Sequence, residues 1–451
     1  VGWRPAMMFL ALPLFNMSQN ADCPTSQRLQ AESKAVQSKA EAAWARIVAL
    51  KAKLLRGCRE TAPLLDQGHG PPIRNVRSIG TREVVFVFLV FFLSRIVIFS
   101  AMTVSPRFIT RPTDPNFWDL GKPVLRPLFR WDAGWYLRIA RDGYSYNGNP
   151  RQQQNIAFFP LYPLTCRLCR AVTGISIPLC AVLLSNLAFL VGLAALYALV
   201  TWEIGPDVAR STTLLLAFFP ASLFFSTMYP ESFFLAFSVL AYAAFRKQRF
   251  VQGGIWAGLA SATRAPGILL FVPLLLEGFP CLKERRMWWR VIAAGLLAAS
   301  GLGGFMLYQW IAFGDPLVSF KVQQYAIGWR GELALPFRRI AEVYGDIVRG
   351  QHAPAPFDVL FAVMFIALAC TLPSHLPRSY ALYTILGVAL PLFAQNNTGG
   401  LTRYVNVLFP GFMVLGIIGR KSRSILWVCL ALFIVVLVYF SMRFAQWRWV
   451  G

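Results

Sequence analysis

From Val84 onward, long apolar runs alternate with short polar breaks. Val84–Val104 is the first run long enough to span a bilayer, which takes about 20 apolar residues. Comparable or shorter runs follow at Ile177–Val200, Ser211–Met228, Glu231–Phe245, Gly253–Leu276, Trp288–Ala312, Phe357–Leu372, Tyr380–Ala394, Tyr404–Ile418 and Ile425–Met442. The pattern predicts an all-α polytopic membrane protein with about ten or eleven membrane segments. Two runs do not read as straight spans. Ile156–Val172 is broken by Pro160, Pro163, Arg167 and Arg170, which predicts an interfacial helix or a re-entrant piece on the outer face. Gly253–Leu276 carries Arg264, Pro266 and Gly267 in mid-run. If both of its flanks lie on the same side, it must go out and come back as two half-helices with Arg264 near the turn.

Residues 1–80 differ from the rest. Met7–Phe15 is apolar but too short to span, Ser26–Arg59 is rich in Ala, Lys, Glu and Arg, and Gln67–Pro72 reads as a linker. They are expected to form a basic N-terminal extension, partly helical or disordered, ahead of a membrane domain over residues 81–451.

Charge sets the orientation. Arg74, Arg77 and Arg82 precede the first run, and the short loops Phe245–Phe250, Lys283–Arg290 and Gly419–Ser424 are basic, so these lie inside. Residues 105–176 and 313–356 then form two large outer loops carrying short helices. The first breaks the simple rule: residues 105–155 hold eight Lys or Arg against four Asp. Cations kept on the translocated side suggest an anionic substrate. The chain is 56% hydrophobic and 14% charged, with net charge +24. Those charges sit mostly between apolar runs and no nucleic-acid module is present, so the expected partners are membrane lipids and no nucleic acid.

The informative polar residues gather on the outer side: Asp132, Asp142, Glu231, Arg264, Asp315, Arg330 and Arg403. An ionisable group at mid-membrane costs about 2.5–3.5 kcal/mol and needs a partner or water. Arg264 is therefore a candidate anion contact. Glu231, in Pro230–Glu231–Ser232, reads equally as a helix N-terminal acid complementing the dipole. Asp132 reads as a cap on a helix over Ala133–Arg141 or as a general base. No P-loop, GxGxxG or DxD motif is present. Cys166 and Cys169 lack zinc partners, and the three histidines are far apart, so no metal site or cofactor is expected.

Residues 131–144, WDAGWYLRIARDGY, followed by IAFFPLYPL, resemble the second-mannose GPI mannosyltransferase (PIG-V) family and its prokaryotic relatives. Further echoes run in order: SR at 94–95, FFPASLFFSTMYPESFF at 218–234, GIWAGLASATRAPGIL at 254–269, GDPLVSFKVQQYAIGW at 314–329 and LTRYVNVLFPGF at 401–412. The resemblance covers roughly Val84 to Met442. One departure is Arg151–Gln154, where the family often carries an acid.

The resemblance implies a GT-C type bundle that moves mannose from a polyprenyl(dolichyl)-phosphate donor to a lipid or glycan acceptor on the non-cytoplasmic face, with inversion. It implies Asp132 as general base, with Glu231 the second catalytic candidate. Arg264 and Arg403 are the first candidates for the donor phosphate, with Arg138 and Arg330 behind them, since guanidinium forks suit phosphate. Trp131, Trp135 and Tyr136 are candidates to stack on sugar or prenyl, and interface packing explains them equally well. The alternative function is a transporter or flippase of a lipid-linked sugar, which shares the bundle but needs no carboxylate. A chain starting on Val1 is expected in a bacterial plasma membrane, with the ER membrane as the alternative.

Overall fold

A computed structural model describes residues 80–112, 125–326, 355–394 and 400–450. The N-terminal extension before residue 80 and residues 327–354 of the second outer loop lie outside the described residues. Those described form helices and no strand. In chain order they are α1 (Thr81–Val104), α2 (Ala133–Asp142), α3 (Leu161–Thr173), α4 (Ile177–Glu203), α5 (Pro206–Ala217), α6 (Glu231–Arg246), α7 (Phe250–Thr263) and α8 (Phe271–Gly278). They continue as α9 (Arg285–Phe313), α10 (Val318–Tyr325), α11 (Ala355–Thr371), α12 (Arg378–Ala394), α13 (Leu401–Val405), α14 (Phe409–Lys421) and α15 (Arg423–Ala445).

Among the described residues, 6 helical stretches are long and apolar enough to cross a membrane: Thr81–Arg107, Ile177–Glu203, Ala265–Lys283, Arg285–Phe313, Phe357–Ser374 and Arg423–Ala445. Five shorter apolar helices, α5, α6, α7, α12 and α14, lie among them. At 1.5 Å per residue these reach only about 18 to 26 Å, short of an apolar bilayer core of about 30 Å. Together the two groups make the multi-pass bundle that the apolar runs predict.

Two of the short helices, α5 and α6, meet at buried, irregular backbone. Residues 218–230 join α5 to α6, and every one of them is buried. Backbone polar groups at such depth need partners. Arg95, midway along α1, supplies several. Its guanidinium donates to Ala217 O (3.3 Å), Ser222 O (3.0 Å), Ser222 Oγ (2.6 Å) and Ser226 Oγ (2.8 Å), and lies 4.6 Å from the Phe189 ring centroid. Asn406 Nδ2 donates to Ala221 O and Ser185 Oγ to Thr227 O.

The expected out-and-back pair is present. α7 ends at Thr263, Arg264 is extended at φ −156°, and Pro266 opens the next turn. Phe250, at the start of α7, lies against Gly278, at the end of α8, while Gly267 presses on the backbone of Ser261. The two therefore run antiparallel, with Arg264 at the bend. Gly254 and Gly258 let α7 touch α9 backbone to backbone: a Cβ on Gly254 would come within 2.6 Å of Ala294 Cα.

The bend and the outer loop meet at one end. At the other, Arg246 Nε pairs with Glu203 (2.7 Å) and Arg246 Nη1 with Glu277 (2.7 Å), beside the basic loops after α6 and α8. α3 is amphipathic: Tyr162, Pro163 and Cys166 are buried while Leu164, Leu168 and Val172 face outward, the form of an interfacial helix.

Candidate active site

The site is built from residues at the ends of four elements. Asp132 stands at the N-cap position of α2, yet its side chain makes no capping bond. Its Oδ2 instead accepts from Arg403 Nη1 on α13 at 2.9 Å, across 271 residues of sequence. Arg403 Nε reaches the other way, to Glu231 Oε1 at 2.5 Å. The same oxygen accepts from Arg264 Nη1 at 2.7 Å. Asp132, Arg403, Glu231 and Arg264 thus form one chain of ion pairs with no net charge.

Burial grades this chain. The Glu231 side chain is 0% exposed, those of Arg264 and Arg403 are 8% and 9%, and that of Asp132 is 24%. The exposed end is therefore the aspartate. Glu231 is the first residue of α6, as the dipole reading expects, but two guanidinia hold it. Its Oε2 is buried and accepts no bond among the described residues. Burial lowers the pKa of Arg403, and Glu231 and Asp132 beside it more than reverse that, so it stays charged.

Aromatic rings line the arginines. Arg403 lies 4.7 Å from the Tyr229 centroid and 5.4 Å from that of Phe224, and Arg264 lies 5.0 Å from that of Tyr404. Cation–π contacts of this kind add about 2 kcal/mol when desolvated.

Tyr229 also shapes the turn that presents Asp132. Its hydroxyl donates to Arg130 O and accepts from Asp132 N, both at 3.1 Å, so it spans the turn as a bridging water would. Within that turn Trp131 has φ +54°, a left-handed conformation unusual for a bulky residue and costing about 1–3 kcal/mol. Its ring meets Trp447 and Trp449 edge-on, with centroids 5.8 and 5.4 Å apart.

The other predicted residues take distinct places. Tyr136 is buried between Phe158, Tyr162 and Tyr229. Burial, then the nearby Glu231, push its phenol up. Trp135 stacks on Phe158, and Arg138 lies over Trp135 at 5.6 Å, outside the chain of ion pairs. Arg330 lies outside the described residues. Arg167, on α3, caps the end of α2 by donating to Ile139 O, Ala140 O and Arg141 O.

A family profile described as Mannosyltransferase (PIG-V) matches residues 78–315. The chain belongs to this family. The matched region holds Asp132, Glu231 and Arg264 and ends before Arg403. The chain is 31% identical over 254 residues to GPI alpha-1,6-mannosyltransferase 2 of Mus musculus, covering 51% of this chain and 48% of that one. It is 35% identical over 255 residues to GPI mannosyltransferase 2 of Drosophila pseudoobscura pseudoobscura, covering 52% and 55%. The chain spans about half the length of these curated relatives. Among solved structures, apo ArnT from Cupriavidus metallidurans matches at TM-score 0.46 and 15% identity, over 78% of this chain and 63% of that chain. ArnT bound to undecaprenyl phosphate matches at TM-score 0.44 and 17% identity, over 75% and 60%.

The sequence reading did not single out Tyr229, Arg95 or Asp358. A polar residue inside or beside an apolar run was the one available signal for Arg95, which enters the sequence reading only in the SR echo at 94–95, and for Asp358, which does not enter it.

Proposed function

We propose that this chain is a membrane-embedded glycosyltransferase of the GT-C type. It transfers mannose from a polyprenyl-phosphate donor to a hydroxyl of a lipid or glycan acceptor on the non-cytoplasmic face. The observation that carries this reading is the four-residue chain of ion pairs, which grades from buried Glu231 to the partly exposed Asp132. Membership of the PIG-V family supports it.

In this reading Asp132 is the general base. One of its oxygens is anchored by Arg403, and the side chain keeps the exposure that an acceptor needs to reach it. The acceptor oxygen attacks the anomeric carbon, its proton passes to Asp132, and the bond from that carbon to the phosphate oxygen breaks. Polyprenyl phosphate departs with the electron pair. A single displacement inverts the anomeric centre. Arg403 and Arg264 stabilise the departing phosphate, and Glu231 holds both guanidinia in place beforehand, which lowers the reorganisation needed at the moment of reaction.

The test is transfer by the purified chain from polyprenyl-phosphate mannose to an acceptor glycolipid, with the product's anomeric configuration read by NMR. A β-linked donor should give an α-linked product. Retained configuration would exclude the single displacement, and translocation of the lipid without transfer would exclude the enzyme.

A further inference from the structure

We propose that Asp358 is a positioning residue for Arg403. The inference rests on the reading of Arg403 as part of a transferase site. Asp358 lies in the first turn of α11 and is fully buried. No cation pairs with it among the described residues. Both of its oxygens are instead spent on one short stretch of backbone: Oδ2 accepts from Gly400 N (3.1 Å), and Oδ1 accepts from Thr402 N (2.7 Å) and Thr402 Oγ1 (2.6 Å). Arg403 is the next residue.

An acid is a costly way to pack two helices. A buried carboxylate without a cation is penalised by several kcal/mol, and an apolar side chain of similar size is commonly neutral or stabilising in such a place. What the carboxylate supplies, and an apolar group does not, is direction. It gathers two amides, two residues apart, and a hydroxyl onto one carboxylate, at a glycine whose φ of +104° few other residues adopt. The following five residues are α13, too short to hold an orientation alone. Its far end is tied by Asn406 Nδ2 to Ala221 O. Between these two ties the Arg403 guanidinium bridges Asp132 and Glu231, and Tyr404 lies beneath Arg264. Asp358 therefore sets where both arginines of the site can be, without touching either.

The test uses the full chain in nanodiscs as wild type, Asp358→Asn, Thr402→Val, Arg403→Lys, and Asp358→Asn combined with Arg403→Lys. Hydrogen–deuterium exchange over residues 400–406 and transfer from polyprenyl-phosphate mannose are both followed. Asp358→Asn should speed exchange in that segment and lower kcat about 100-fold, the loss that a displacement near 1 Å brings, while KM for the donor changes far less. Thr402→Val keeps both amide bonds and should shift both readouts less, in the same direction. The double variant should be no slower than Arg403→Lys alone, because the two changes act through one side chain. Additive losses, or unchanged exchange in folded Asp358→Asn, would overturn the proposal. If Asp358→Asn does not fold, Thr402→Val decides on the same two readouts. Exchange is read without substrate, so a wild-type chain that transfers no mannose counts against the transferase reading, while the exchange result still decides for Asp358.

Discussion

Replacing Glu231 by Gln removes the anion shared by two buried guanidinia. Glu231 is 0% exposed, and its partners Arg264 and Arg403 are 8% and 9% exposed, so little solvent is at hand to compensate. Removing one member of a buried ion pair costs about 3–5 kcal/mol. Arg403 keeps Asp132, which places the loss near the lower end, at about 3 kcal/mol. Asp132→Asn is the matched comparison. It removes one pair at a side chain that is 24% exposed and leaves a neutral acceptor for Arg403, so the expected loss is about 1 kcal/mol. At about 2 °C per kcal/mol for a chain of this size, the apparent Tm in detergent should fall about 6 °C for Glu231→Gln and about 2 °C for Asp132→Asn. Transfer should rank the other way in cause. Asp132→Asn should lose at least about 100-fold with its fold intact, because the proton acceptor is gone. Equal thermal shifts would refute the burial argument. Full transfer by Asp132→Asn would refute the assignment of the base.

Three further outcomes follow from the same geometry. Arg264→Lys keeps the charge but loses the planar fork, and should raise KM for the donor about tenfold with the acceptor KM unchanged, measured by initial rates. Gly301→Ala drives a methyl group into Gly258 O and Ala262 N at the α7–α9 contact, so the apparent Tm should fall by the equivalent of about 1–3 kcal/mol. Burial raises the pKa of Tyr136, so the folded protein holds this proton after an unfolded chain has begun to release it near pH 10. Its contribution to stability is complete below that pH and is lost as pH rises beyond it, and a Tyr136→Phe variant should show a shallower alkaline loss of Tm.

Much of the frame was legible in the sequence because a bilayer imposes a simple rule on length and polarity. The break at Arg264 is an example: Pro266 and Gly267 in mid-run, between two basic loops, leave few other solutions. Asp132, Glu231, Arg264 and Arg403 were each visible as ionisable residues near the outer ends of apolar runs. Their mutual pairing was not. Arg403 meets Asp132 across 271 residues and Glu231 across 172, and no local pattern encodes such a meeting. This changes the picture of the arginines, which stand already engaged with carboxylates. Arg138 and Arg167 show the converse. Arg138, within the basic surplus of residues 105–155, lies over Trp135, and Arg167, beyond that stretch on α3, closes the end of α2. Charge counts in a loop do not distinguish a guanidinium that binds ligand from one that satisfies carbonyls.

The hairpin of α7 and α8 has a consequence for how the chain is made. Its apolar run is long enough to be taken by the insertion machinery for one ordinary crossing. What holds α7 in its place in the hairpin is α9, through the glycines at 254, 258 and 301. That helix emerges from the ribosome only afterwards. A nascent chain ending between α8 and α9 is therefore free to adopt a topology in which everything downstream faces the wrong compartment. Because α9 is itself a crossing, a fusion at that point should report the same side as a fusion placed after α9, whereas a hairpin already closed would put the two on opposite sides; the orientation of the finished chain is then settled late, by packing.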